Sequence, residues 1–162
     1  MRPIVDPSAW VHASAQLLGD VRLAEDVSVW PTCVLRGDSG TITVGARTNL
    51  QDGTICHATR GVSQTTVGAE CTVGHRVTLH GCTIGARCLI GMGSILLDGA
   101  ELGDHCFVAA GSLVPPGKKF EARSFLMGSP AKVVRQVSER ELKMIEHSWQ
   151  TYVELMQAYR AG

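Results

Sequence analysis

The chain has 162 residues, enough for one domain with a sizeable core and too few for two comfortable ones. Its 15 Lys and Arg balance 15 Asp and Glu with no long run of either sign, which argues against nucleic acid or an anionic membrane surface as a partner. The opening MRPIVDPSAW meets proline and aspartate before an apolar run develops, and no stretch nears the roughly 20 apolar residues of a membrane span, so a cytoplasmic location without membrane contact is expected.

In chain order, a period of six comes first. Val5, Val11, Leu17, Leu23, Val29 and Leu35 fall at strict six-residue steps. Val44, Leu50 and Cys56 resume the step, as do Val67, Val73 and Leu79, and then Ile84, Ile90, Leu96, Leu102, Val108 and Val114. The breaks are insertions after Leu35 and Cys56 and a short step from Leu79 to Ile84. Four residues after many of these aliphatics stands a smaller residue, among them Ala9, Val27, Cys33, Cys71, Cys88, Ser94 and Cys106. Each hexad therefore offers two inward positions, one aliphatic and one small. Gly45, Gly68, Gly74, Gly85, Gly91 and Gly103 follow the aliphatics and suit corners needing positive φ or close approach. This pattern resembles the hexapeptide-repeat, left-handed parallel β-helix family over roughly residues 5–117, in which three hexads form one triangular coil and coils bury their aliphatics by stacking.

The expected fold is all-β, a left-handed parallel β-helix over 1–117, a connecting segment over 118–137 and a C-terminal α-helix over 138–162, forming one domain. In that last segment Ser138 and Glu141 have capping-box spacing, and Leu142, Ile145, Trp149, Tyr152 and Met156 recur at helical intervals. The six cysteines include no C-x-x-C pair. Cys33, Cys71, Cys88 and Cys106 fall in the small inward slot and Cys56 in the aliphatic one, so they read as compact core residues rather than disulfide or metal groups.

The histidines fall differently. His57 follows Cys56 and His80 follows Leu79, three steps apart once the residues TRGVSQ are expelled as a loop. The two should stack on one face of adjacent coils, about 4.8 Å apart, where they can share a metal. Arg36 lies one coil earlier in that column. His75 points from another side of the triangle, with Gln51 and Asp52 one coil below. It can join the pair only from a neighbouring chain, as a cyclic trimer would allow, and three imidazoles with an open fourth position make the ligand set of a catalytic zinc site. His12, His105 and His147 read as ordinary surface residues.

The segments VLRGD (34–38), TNLQDG (48–53), CHA (56–58), TVGHRVTLHGCTIG (72–85), IGMGSILLDGA (90–100) and MGSPAKVVR (127–135) together resemble the gamma-class carbonic anhydrase-like proteins. That resemblance implies His57, His75 and His80 as zinc ligands in a homotrimer, with iron or cobalt accepted by the same ligands. It implies Gln51 and Asn49 near the metal-bound water and substrate, and Arg36 and Asp38 as an ion pair across the trimer contact with Asp52 beside them. Structural bridging is the alternative for Arg36, Asp38 and Asp52. The implied reaction is reversible hydration of carbon dioxide to bicarbonate. Where active relatives carry acidic residues this chain has Ser39 and Arg60, and Phe125 stands where relatives often place tyrosine, so slowed proton export is expected. Two other functions stay open: acyl-CoA thioester hydrolysis or acyl transfer on the same fold, and a non-catalytic trimer tied by zinc.

Overall fold

The computed structural model describes residues 2–161; Met1 and Gly162, the outer limits of the expected boundaries, lie outside the described residues. Short strands stack in parallel register to build a left-handed β-helix, and a single α-helix, Glu139–Ala161, follows. No described helix is long and apolar enough to cross a membrane.

The period of six explains the register. Leu35 pairs with Cys56, Cys56 with Leu79, Leu79 with Leu96, and Leu96 with Val114, so one aliphatic column runs up the interior. All five are fully buried, as are Cys33, Cys71, Cys82, Cys88 and Cys106. The six cysteines are free. Burial pushes the Cys33 thiol up to about 11 and the Cys82 thiol to about 12, which keeps both protonated and apolar in character. The first coil departs from the pattern: Val5 is exposed and Val11 and Leu17 only half-buried, because an end coil has a neighbour on one side alone.

Of the two uses open to the corner glycines, close approach is the one realised. A Cβ on Gly68 would lie 2.6 Å from the Gly85 carbonyl carbon of the next coil. Positive φ falls two residues later and is borne by side-chain residues such as Glu70 (58°) and Arg76 (57°).

The three faces differ in what they show outward. One ladder is polar, running Arg22, Thr43, Thr66, Thr83, Glu101, Lys119. A second runs Trp10, Ser28, Asn49, Thr72, Leu89, Phe107, and the C-terminal helix lies against this face. The third runs Val34, Ile55, Thr78, Ile95, Leu113, of which Ile55 and Ile95 are exposed.

The segment 118–137, expected only as a connector, carries three strands. Lys119–Phe120 and Ser124–Gly128 pair in parallel with the coil before them, and Ala131–Gln136 folds back antiparallel on Ser124–Gly128. Next comes the capping box. The Glu141 backbone N–H donates to Ser138 Oγ at 3.3 Å, and the Ser138 N–H donates to Glu141 Oε2 at 2.8 Å. Arg135 grips Glu141 with two hydrogen bonds and holds its carboxyl at about 2. Ile145 and Met156 are buried, Leu142, Trp149 and Tyr152 half-buried, and Arg160 reaches the carbonyl oxygens of Pro7 and Ser8 near the opposite end of the coil stack.

Leu79→Ala should lower unfolding stability by about 2–5 kcal/mol, read by denaturant titration, since its side chain is fully enclosed. Because Glu141 is depressed from the ordinary 4.5 to about 2, its contribution is full above pH 4.5 and disappears as pH falls toward 2. Glu141→Gln should flatten that part of the acid limb when helix content is followed by circular dichroism.

Candidate metal centre

His57 and His80 end the strands Ile55–His57 and Thr78–His80 and pair with each other in register. Their ring centroids are 5.2 Å apart, and Nδ1 of His57 faces Nε2 of His80 at 3.2 Å. The far nitrogen of each ring meets a carboxylate. His57 Nε2 is 3.1 Å from Asp38 Oδ1, and His80 Nδ1 is 3.0 Å from Asp98 Oδ2.

Those carboxylates decide which nitrogens carry protons. The Arg36 guanidinium donates to Asp38 Oδ2 at 2.7 Å and is the main reason the Asp38 carboxyl titrates at about 2, with further help from His57 and Ser39. Burial pushes Asp98 up, but hydrogen bonds from Ser63, His80 and Thr59 outweigh it and leave its carboxyl below the usual range. An ionised carboxylate only accepts, so His57 Nε2 and His80 Nδ1 are the N–H positions. With one proton on each ring, the two facing nitrogens are then both lone pairs, aimed at each other at 3.2 Å. A shared proton or a cation between them would relieve that arrangement. The donor set fits a metal ion by this test, and carboxylate-anchored imidazoles are the usual outer support of metal-bound histidine.

His75 stands in the turn after Thr72–Val73, on another face, and repeats the theme: its Nδ1 is 3.0 Å from Asp52 Oδ2, which leaves Nε2 as the outward lone pair. Among the described residues of one chain, no group of three or more His, Cys, Asp or Glu is gathered for a metal, so His57 and His80 come together and His75 stands apart. Asn49 and Gln51 lie on the His75 face and are buried. Gln51 Nε2 donates to Asn49 Oδ1 at 3.2 Å, and Asn49 Nδ2 donates to Thr72 Oγ1 at 3.0 Å. A cleft of about 300 Å³ opens beside them, lined by Gln51, His75, Met92, Phe107 and Ser148 among others. Phe125 stacks on Phe107 with centroids 5.1 Å apart and lies under the Arg135 guanidinium. Arg36 and Asp38 pair within the single chain, two residues apart on one strand, rather than needing a second subunit to meet.

Sequence reasoning missed Asp98 and the loop that holds it. Thr59 and Ser63, in the expelled TRGVSQ segment, donate hydroxyl hydrogen bonds to the Asp98 carboxylate. Thr65 ties the strand ends, donating to the His57 carbonyl at 2.5 Å and accepting from the Gly81 N–H at 2.9 Å. The signal was present: Leu79 pairs with Leu96, so Asp98 falls one coil beyond Gly81, beside His80.

Comparison with known proteins places the chain among hexapeptide-repeat proteins. Residues 81–116 match the family described as bacterial transferase hexapeptide (six repeats), and residues 64–97 match the hexapeptide repeat of succinyl-transferase. The chain is 48% identical to Protein YrdA of Escherichia coli, covering 97% of this chain and 89% of that one. It is 40% identical to gamma carbonic anhydrase 1, mitochondrial, of Arabidopsis thaliana, covering 98% of this chain and 60% of that protein. A hexapeptide transferase family protein of Anaplasma phagocytophilum superposes with a TM-score of 0.93 at 38% identity, over 97% of this chain and 92% of that one. A Bacillus cereus protein assigned as an acetyltransferase gives 0.96 at 39% identity, over 99% and 92%. The chain belongs to the gamma carbonic anhydrase-like family of hexapeptide-repeat proteins.

Proposed function

We propose that the protein is a zinc-dependent hydro-lyase of the carbonic anhydrase type that hydrates carbon dioxide reversibly, working as a homotrimer. The observation that carries this reading is the geometry of the three rings. Three imidazoles each give one ring nitrogen to an aspartate, and two of the remaining lone pairs already converge at 3.2 Å. His57 and His80 of one chain would hold the metal with His75 of the next. The ladder through Ile55 and Ile95 supports such packing, because it flanks the His57–His80 column and exposes both apolar side chains.

A zinc ion in that setting supplies Lewis acidity that brings the pKa of a bound water to about 7. The chain's own residues do the rest. Asp38, Asp52 and Asp98 fix the three rings, while Gln51 and Asn49 are buried in a fixed hydrogen-bonded chain that would orient substrate beside His75. Ser39 and Arg60 flank Asp38, with Arg60 donating to its backbone carbonyl, so no carboxylate arm from this loop accepts the departing proton. Solution buffer then takes that part. Acyl-thioester chemistry is the second reading. It is favoured by the largely apolar cleft of about 300 Å³ beside His75, and by solved relatives at 38 and 39% identity described as transferases.

Stopped-flow carbon dioxide hydration with the zinc-loaded protein should show turnover that rises with buffer concentration, and His80→Ala should lose metal and at least about 100-fold in rate. Bound zinc without hydration would overturn the proposal, and acyl-CoA thioesters would be assayed next. The shared site has its own check. His75→Ala and His80→Ala should each be inactive alone, and co-refolding equal amounts should restore about a quarter of the sites by random assortment. Failure of that complementation would sink the intersubunit arrangement. Replacing zinc with iron or cobalt in the same assay ranks the metals.

A further inference from the structure

The zinc reading assigns nothing to the expelled loop 59–64 except the lack of a carboxylate, yet the loop is built around one side chain of the next coil. The Thr59 N–H donates to Ser63 Oγ at 3.1 Å, and the Val62 and Ser63 N–H groups both donate to the Thr59 carbonyl at 3.1 Å. So closed, the loop aims two hydroxyls at Asp98, Thr59 Oγ1 at Oδ2 (3.1 Å) and Ser63 Oγ at Oδ1. His80 Nδ1 lies 3.0 Å from Oδ2. Opposite stands Gly81, buried and at a φ of 67°, where a Cβ would overlap Asp98 Oδ1 and Ser63 Oγ. The Gly99 N–H, next to Asp98, donates to the Gly81 carbonyl at 2.7 Å and sets the height of that coil. Loop hydroxyls, a missing side chain and coil register thus converge on one carboxylate and one imidazole.

We propose that Asp98 is a positioning residue for His80, and that the 59–64 loop serves to hold Asp98 in the rotamer that does this. An ionised carboxylate can only accept, so Asp98 fixes the proton of the neutral ring on Nδ1 and turns the Nε2 lone pair toward His57. Without it the ring can turn or take the other tautomer, placing an N–H where a lone pair is needed. Thr59 and Ser63 act through Asp98, to which their hydroxyls donate, and hydrogen-bond to neither imidazole. The consequence for metal rests on the zinc reading; the tautomer does not.

The test uses the full-length protein labelled with 15N-histidine, and reads the His80 tautomer from two-bond 1H–15N correlations in the metal-free state. Zinc affinity is measured separately by competition with a chromophoric chelator. Wild type should hold His80 as the Nδ1–H form. Asp98→Leu, which is close in size but has no acceptor, and Asp98→Ala should both move it toward Nε2–H and weaken zinc binding by about 10- to 100-fold. The Thr59→Ala, Ser63→Ala double variant should give a smaller shift in the same direction. If His80 stays Nδ1–H in both Asp98 variants, with zinc affinity within about twofold of wild type, Asp98 merely anchors the loop and the proposal fails. Should Asp98→Ala not fold, Asp98→Leu decides the matter. If wild type binds no zinc, the zinc reading falls while the tautomer comparison still judges Asp98.

Discussion

Everything at the candidate site depends on the parallel register between Ile55–His57 and Thr78–His80. Cys56 opposes Leu79 inside, and by the same pairing His57 opposes His80 outside. Side chains alternate along a strand, so a slip of one residue would expel Leu79 from the interior and bury an imidazole. The core therefore enforces the geometry of the polar pair, and the histidines need supply none of the energy that brings them together. The insertion after Cys56 is tolerated on the same terms. It leaves the stack as a loop, and the next strand, Thr65–Val67, pairs with Thr43 and Val44 of the coil below and with Thr83 and Ile84 above.

A register alone would leave two rings free to rotate. The aspartates remove that freedom, each by a different route. Asp38 is two residues from Arg36 on one strand, so their side chains share a face and the guanidinium keeps the carboxyl ionised. Asp52 sits one coil below His75 and meets it directly. Asp98 comes from the coil above Gly81 and is held by hydroxyls from the loop. Whether Arg36 and Asp38 also touch a neighbouring subunit is secondary to what they do within the chain. Their pair, both side chains nearly half-exposed, contributes little to stability as a surface salt bridge, but it fixes the acceptor that His57 Nε2 requires.

The period of six carried most of the fold because it is a packing rule, and packing is what the solenoid repeats. It read the interior columns, the cysteine burial and the His57–His80 stack without knowledge of any side-chain contact. It also ran further than expected: Phe120 and Leu126 continue the six-residue step from Val114, which is why Lys119–Phe120 and Ser124–Gly128 are strands rather than plain connector. Two things were less accessible. End effects are invisible to a periodic rule, so Val5 kept phase yet is exposed. Hydrogen bonds that cross from an inserted loop to a coil have no period at all. Thr59 and Ser63 meet Asp98 across sequence separations of 39 and 35 residues, and only the folded loop shows it.

The three outward ladders connect the single chain to the assembly proposed for it. A triangular coil has three faces to satisfy. The polar ladder from Arg22 to Lys119 is suited to water, and the C-terminal helix rests on the face of Asn49, Thr72 and Leu89. An aromatic cluster of Trp10, Trp30, Tyr152 and Tyr159 secures that helix to the first coils. The helix shields the apolar residues there while His75, in the adjoining turn, stays partly exposed. The remaining face carries exposed Ile55 and Ile95 immediately beside the histidine pair. Burying it against a second copy would remove apolar surface from water and bring an outside donor toward the His57–His80 lone pairs in one step. Association and completion of the metal site would then be the same event.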